Sequence, residues 1–128
     1  MNDFRANYRA WLEGVLVDDV PDDVVAFVFN LFEQDFDGAR YGVEFVGVSK
    51  FDQSDPDWAC EEAWEPKGGR SSLIPLSFCD GGWEICLTKM SELISSFIRE
   101  PSLLAQRLSA VRGIGIGFVD GELLLLKS

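Results

Sequence analysis

The last sixteen residues of the chain restrict its fold more than any other stretch. Residues 113–118 alternate glycine with apolar side chains, and Asp120 and Gly121 separate this run from a returning stretch over 122–126 that ends in four leucines. Asp-Gly between two apolar runs predicts a β-hairpin, because both residues tolerate the positive φ angles of a tight turn. The three glycines fall on one face of the first strand, which leaves room for a tryptophan or a helix to approach closely. Four consecutive leucines predict a second strand covered on both faces.

The amino-terminal part of the chain predicts two helices. Apolar residues recur at three- and four-residue steps over residues 3–16, which places one apolar stripe on a first helix. Pro21 followed by Asp22 and Asp23 predicts the start of a second helix that runs to about Glu33. Proline fits the first helical position, and carboxylates favour the positive end of the helix dipole. The rest of this stretch is mostly apolar, so we expect the second helix to be largely buried.

The middle of the chain predicts mostly strands. The predicted strands cover residues 41–49, 58–64 and 73–78. Pro75 restricts the last of them to an edge position or a bulge, because proline has no N–H to donate to a neighbouring strand. Residues 80–82 predict a tight turn followed by a returning strand over 83–87. Residues 83–97 also keep a helical period; we prefer the hairpin, followed by a helix over 89–99 and a short helix opened by Pro101.

These elements predict an α+β fold with a single domain over residues 1–128. The domain has two N-terminal helices, a mostly antiparallel sheet, and one or two helices before the C-terminal hairpin. With 128 residues, 47% of them hydrophobic, the chain is long enough for one core and too short for two domains. No apolar run reaches the roughly 20 residues of a membrane helix, and the first residues lack the pattern of a signal peptide. We therefore expect a cytoplasmic protein.

The negative charge is concentrated in the first half of the chain. Residues 1–70 hold 16 acids against 6 bases, whereas residues 71–128 hold 6 against 5, so nearly all of the net charge of −11 lies in the first part. A negative field of this kind repels nucleic acid and attracts basic proteins. The expected partner is a basic protein, with no direct contact to nucleic acid or membrane.

Residues 52–65, which we call the acidic segment, combine this charge with aromatic surface. The segment holds six acids and two tryptophans but no lysine or arginine. In one interpretation it is a solvated surface whose tryptophans fill the core. In the other, carboxylates surround a tryptophan anchor and steer a basic partner. The second interpretation predicts these partner-binding residues: Asp52, Asp55, Asp57, Trp58, Glu61, Glu62, Trp64 and Glu65. We expect Trp11 and Trp83, which lie on periodic apolar faces, in the core.

The sequence offers little for catalysis. Because the chain has no histidine, it lacks imidazole-activated nucleophiles. The glycine spacing of residues 113–117 does not fit a dinucleotide-binding loop, since the third glycine comes too early and no helix follows. Carboxylate pairs of the acidic segment leave glycoside hydrolysis as an alternative, although a charged surface explains them equally well. We expect no catalytic residues and no enzymatic activity.

Metal and cofactor sites are not expected either. Imidazole-containing zinc sites are excluded by the absence of histidine. Three widely spaced cysteines, Cys60, Cys79 and Cys86, predict buried, reduced thiols. Calcium loops begun at Asp35 or Asp55 lack the residues that such loops require.

Four short stretches carry a resemblance to a known class of proteins. They are Val20-Pro21-Asp22-Asp23, Asp57-Trp58-Ala59-Cys60-Glu61-Glu62, Ile74-Pro75-Leu76 before Gly81-Gly82, and Gly117-Phe118-Val119-Asp120-Gly121-Glu122. With them, the whole chain resembles the small cytoplasmic immunity proteins that bacteria encode beside polymorphic or contact-dependent toxins, including members of the SUKH superfamily. The resemblance implies an α+β protein that binds one cognate toxin, commonly a nuclease with a basic active-site cleft, and blocks it.

The sequence thus favours a binding protein that neutralises a basic toxin, with a nuclease as the expected kind. Two alternatives stay open. A DNA-mimicking inhibitor from a phage or mobile element would use the same acids, and an acidic housekeeping domain would have no toxin partner at all.

Overall fold

The computed structural model describes residues 3–17, 20–36, 39–119 and 121–127, with the side chains of residues 35 and 36 left out. It confirms an α+β fold built on one six-stranded mixed sheet. The elements in chain order are α1 (Phe4–Val17), β1 (Ala26–Phe36), β2 (Ala39–Val48), a 3₁₀ helix (Pro56–Cys60), β3 (Glu62–Trp64), β4 (Ser71–Pro75), α2 (Trp83–Arg99), α3 (Leu103–Leu108), β5 (Gly113–Phe118) and β6 (Leu124–Lys127).

The long strand β1 lies at the centre of the sheet. It pairs antiparallel with β2 on one side and parallel with β5 on the other, so that Phe29 stands between Phe45 and Ile116. Strands β3 and β4 both pair antiparallel with β2, on its edge away from β1 and at different positions along it. Strand β6 pairs antiparallel with β5. The parallel β1–β5 pair requires a crossover connection, and α2 and α3 lie within it.

The helices pack on one face of the sheet, which we call the helix-covered face. Tyr8 of α1 contacts Phe29 edge-on, with ring centroids 6.5 Å apart. Helix α1 buries one residue per turn along a single stripe, and α2 buries a longer stripe against the same face. The buried helical residues are Phe4, Tyr8, Leu12, Leu16, Cys86, Met90, Leu93, Ile94 and Phe97.

An irregular segment packs on the other face, which we call the loop-covered face. The Trp58 ring is buried there against Ala26 and Val28 of β1 and their neighbours on β2. Phe51 contacts Trp58 with ring centroids 4.9 Å apart, and its own ring occupies the space where a Cβ would stand on Gly113. The glycine face predicted for β5 therefore accepts a phenylalanine rather than a tryptophan or a helix.

The predicted second N-terminal helix is wrong, because its residues form β1. Odd-numbered residues from Phe27 to Leu31 face the helices, and their even-numbered neighbours face the loop-covered side. A central strand that is apolar on both faces cannot be told from a buried helix by periodicity alone. Pro21 opens a turn instead of a helix, and the Val24 N–H donates to the Pro21 carbonyl oxygen over 3.0 Å.

The predicted hairpin over residues 80–87 is also wrong, and the helical alternative is right. Helix α2 begins at Trp83, with Gly82 as its N-cap. The stripe that includes Cys86, Met90 and Phe97 is buried against the sheet, and this burial outweighs the short strand-like alternation at the start of the helix. Trp83, which we expected in the core, is 50% exposed. Trp11, by contrast, packs against the core as predicted.

Other strand predictions differ at their ends. Strand 41–49 is confirmed as β2, and Pro75 is the last residue of the edge strand β4. Only residues 62–64 of the predicted strand 58–64 pair with β2, because Pro56 and the capping Asp55 favour a 3₁₀ turn before them. The short helix after Pro101 is confirmed as α3.

The C-terminal hairpin is confirmed as β5 and β6, with a longer connection than the predicted two residues. Asp120 of the predicted turn lies outside the described residues, and the Gly121 N–H donates to the Phe118 carbonyl oxygen over 2.9 Å. The prediction that the leucine strand is covered on both faces is wrong. Leu124 and Leu125 are adjacent residues of the edge strand β6, so they point to opposite faces, and both are exposed.

Candidate functional site

The acidic segment crosses the loop-covered face, but its tryptophans are not displayed there. Trp58 is 1% exposed and fills the core of that face. Trp64 is half-buried on the opposite side of the sheet, where its ring lies 6.0 Å from that of Phe45 and 6.4 Å from that of Phe27. The two indoles therefore pack on different faces, and neither is the exposed anchor that the docking interpretation expected.

Two carboxylates of the segment shape its backbone. Asp52 accepts hydrogen bonds from the Ser54 hydroxyl over 2.7 Å and from the Ser54 N–H over 2.9 Å, and these bonds lower the pKa of Asp52. Asp55 caps the 3₁₀ helix by accepting the Asp57 N–H over 3.0 Å. Such caps hold the segment in a fixed path across the sheet.

A single guanidinium gathers three other carboxylates. Arg70 donates to Glu62 over 2.8 Å and to Glu65, and it lies 3.9 Å from Glu44 of β2. The hydrogen bond to Glu65, followed by that to Glu62, raises the pKa of Arg70. These contacts partly neutralise Glu62 and Glu65 within the molecule, so the two acids are less available to a partner than their exposure suggests.

Asp57 and Glu62 meet a second part of the chain across a groove of about 740 Å³. One side is formed by the 3₁₀ helix and β3, with Asp57, Cys60 and Glu62. The other side is formed by residues 118–123, which bring Glu122 into the groove, and Asn30 of β1 also lines it. We call this feature the acidic groove.

Glu122 was missed by the sequence analysis, although the hairpin prediction contained part of the signal. Gly117 lies beside Asn30 in the β1–β5 register, and the space at Gly117 is filled by the Glu122 carbonyl group. A hairpin with a glycine face predicts that the chain after the turn folds close to Gly117. What the sequence does not show is that the acidic segment packs beside it, because that contact joins residues sixty positions apart.

The free carboxylates of this face are suited to binding cations. Within the described ranges, no ion pair is formed by Asp57, Glu61 or Glu122, and all three are exposed. Ionised carboxylates only accept hydrogen bonds, so they match guanidinium and ammonium donors. No group of three or more acids, cysteines or histidines in the described part of the chain is arranged to hold a metal ion.

The cysteines divide between core and groove. Cys79 and Cys86 are buried as predicted, whereas Cys60 is exposed, so the prediction of a buried thiol is wrong there. Burial raises the pKa of Cys86, with the neighbouring Cys79 adding to the shift. Cys60 ends the 3₁₀ helix with its side chain at the groove, because Trp58 takes the inward position of that turn.

Comparisons with known proteins identify no relative of this chain, so the site is interpreted from its geometry. Among the described helices, none has the length and apolar character needed to cross a membrane. Searches against protein-family models, curated proteins and solved structures give no significant match to the chain.

Proposed function

We propose that the protein is a cytoplasmic, non-enzymatic inhibitor that binds a basic protein through the acidic groove and the exposed acids around it. The observation that supports the proposal is the juxtaposition of Asp57 and Glu122 across a groove on the loop-covered face. One acid comes from the acidic segment and the other from the C-terminal hairpin, so the fold joins two acidic parts of the sequence into one surface.

Charge favours a cationic partner for this surface. The chain carries a net charge of −11, which steers basic proteins toward it and raises the association rate at low salt. Within the groove, carboxylates that have no internal partner gain charge-assisted hydrogen bonds when arginine or lysine side chains enter. Glu61, exposed at the end of the 3₁₀ turn, extends the negative surface beyond the groove.

The resemblance to immunity proteins suggests that this binding inhibits a toxin. A nuclease toxin has a cleft that attracts phosphates, and a folded surface of carboxylates can occupy such a cleft and exclude the substrate. A standard interface buries roughly 1,600 Å² in total, so the groove would form the centre of a larger contact across the acidic segment. The proposed inhibitor therefore competes with nucleic acid for a basic cleft without binding nucleic acid itself.

Affinity capture with matched charge variants tests this proposal. Three baits are compared in extracts of cells that encode the protein: the wild type, Asp57→Lys with Glu122→Lys, and Asp22→Lys with Asp23→Lys. The control pair lies in the exposed turn before β1, away from the groove, and it changes the net charge by the same amount. We expect a basic protein on the wild-type and control baits and its loss, by more than about tenfold, on the groove variant.

Equal capture on all three baits would contradict the proposal, because the groove acids would then contribute nothing to binding. Equal loss on both variants would also contradict it, because total charge rather than the groove would then decide binding. The identity of the captured protein separates the remaining alternatives. A nuclease that loses activity in the complex supports toxin neutralisation, whereas a host DNA-binding protein supports the DNA-mimic alternative.

A further inference from the structure

We infer that Trp83 is the apolar anchor of the same docking surface and that it receives an arginine side chain of the basic partner. The inference rests on the proposed function and extends it to the chemistry of one contact. Trp83 is 50% exposed at the start of α2, so half of a large aromatic surface faces solvent. Tryptophan is enriched among the residues that dominate binding energy at protein interfaces.

Trp83 and the Phe118 ring lie on the helix-covered side, and Phe118, the last residue of β5, also borders the acidic groove at the end of that strand. The two rings contact each other edge-on, with centroids 6.0 Å apart and planes at 84°. Phe118 also lines the groove, as does Val119, which is 63% exposed. The apolar surface of Trp83 and the acidic groove therefore lie on either side of the end of β5, and a partner segment that passes around this end can contact both.

The surroundings of this apolar surface favour a cation rather than another apolar chain. Asp80 and Glu84, which flank Trp83 in the sequence, are exposed, and Glu122 lies on the groove side of Phe118. A guanidinium stacks on an indole face through cation–π attraction while its N–H groups stay free for carboxylates. An ammonium group is more strongly hydrated and lacks this planar stacking, so arginine fits the site better than lysine.

Trp83 is more exposed than the other three tryptophans of the chain. The other tryptophans pack against the two cores of the molecule, and Trp58 is 1% exposed. Large exposed apolar surface next to a polar groove is typical of an interaction site. Removal of the Trp83 ring is therefore expected to weaken binding while the fold persists.

Defined peptides test the inference. Fluorescent octa-arginine and octa-lysine are titrated at low salt with the wild type, Trp83→Ala, Trp83→Phe, the groove variant and a control, Leu103→Ala. Leu103 is 60% exposed on α3 and does not line the groove, so its removal matches the loss of exposed apolar surface. Binding is measured by fluorescence anisotropy, and the indole N–H resonance of Trp83 is followed by NMR.

We expect Trp83→Ala to weaken octa-arginine binding about three- to tenfold, with octa-lysine changed less, Leu103→Ala unchanged and Trp83→Phe intermediate. The Trp83 resonance shifts during the titration. If octa-arginine binds Trp83→Ala as tightly as the wild type while the groove variant binds weakly, the inference is overturned and the proposed function stands. If the groove variant binds octa-arginine as tightly as the wild type, the proposed function fails as well.

Discussion

The two faces of the sheet are covered in different ways, and the proposed groove lies on the face with the less regular cover. Helices α1 and α2 lay regular apolar stripes on the helix-covered face and bury it almost completely. On the loop-covered face, a 3₁₀ turn buries one tryptophan, and the same turn forms one side of the acidic groove. Periodic packing stabilises the first face, whereas the second carries the groove in which we propose that a partner binds.

The ion pairs also differ between the two sides of the sheet. On the helix side, Arg9 pairs with Glu13 and Glu100, and Arg5 and Arg9 both lie over the Phe97 ring. On the loop side, one half-buried arginine serves three glutamates, and the exposed acids near the groove have no cation of their own among the described residues. The arginines of α1 thus meet acids and an aromatic ring within the molecule, whereas Asp57 and Glu122 at the groove have no such cation among the described residues.

The largest expected loss of unfolding free energy follows substitution of the buried Trp58, and we compare it with substitution of the exposed Trp83. Trp58→Ala removes the centre of the loop-covered core, so we expect unfolding free energy to fall by about 3–5 kcal/mol. Trp83→Ala removes a half-exposed ring and should cost less than about 1.5 kcal/mol. Urea denaturation followed by circular dichroism measures both. Equal losses for the two variants would contradict the assignment of Trp58 to folding and Trp83 to binding.

The next effect concerns the glycine face of β5. A Cβ at Gly113 would overlap the Phe51 ring, so Gly113→Ala must displace that ring, and we expect a loss of about 1–3 kcal/mol. Gly14→Ala in α1 is the matched control, because no atom lies within 4 Å of the added methyl group and alanine favours a helix. The control should be neutral or stabilising. A neutral Gly113→Ala would show that Phe51 does not hold the acidic segment against the sheet.

The smallest effect concerns Arg70. Arg70→Met leaves Glu44, Glu62 and Glu65 without their shared cation. Because Glu62 and Glu65 are about half exposed and screened by solvent, we expect a loss of no more than about 1 kcal/mol, reduced further by 1 M salt. Denaturation at two salt concentrations measures it, with the exposed Arg99→Met as control. A loss that does not depend on salt would contradict an electrostatic role.

Local sequence signals predicted the parts of the fold that local interactions decide. The stripe of α1, strand β2, the edge position of Pro75 and the C-terminal hairpin all follow from neighbouring residues. Strand β1 did not, because a strand buried on both faces has the composition of a buried helix. The start of α2 failed for a related reason, since its alternation over five residues fitted a strand until the sheet buried the longer helical stripe.

The candidate site was likewise predicted only in part from the sequence. The sequence predicted that the acids of residues 52–65 lie at the surface, and Asp57, Glu61, Glu62 and Glu65 do. It did not predict which tryptophan is exposed, because exposure depends on what packs over each ring. Glu122 joins the groove only through the approach of the hairpin to the 3₁₀ helix, a contact between distant parts of the chain.

The central claim is that the acidic groove is the place where the partner binds, and the thiol of Cys60 reports on it directly. Cys60 lines the groove and is exposed, while Cys79 and Cys86 are buried and give little background. The measurement is the alkylation rate of Cys60 by iodoacetamide, followed by mass spectrometry, with and without a saturating amount of the captured basic partner. We predict that the complex slows alkylation more than about tenfold. An unchanged rate in the fully formed complex would contradict the claim.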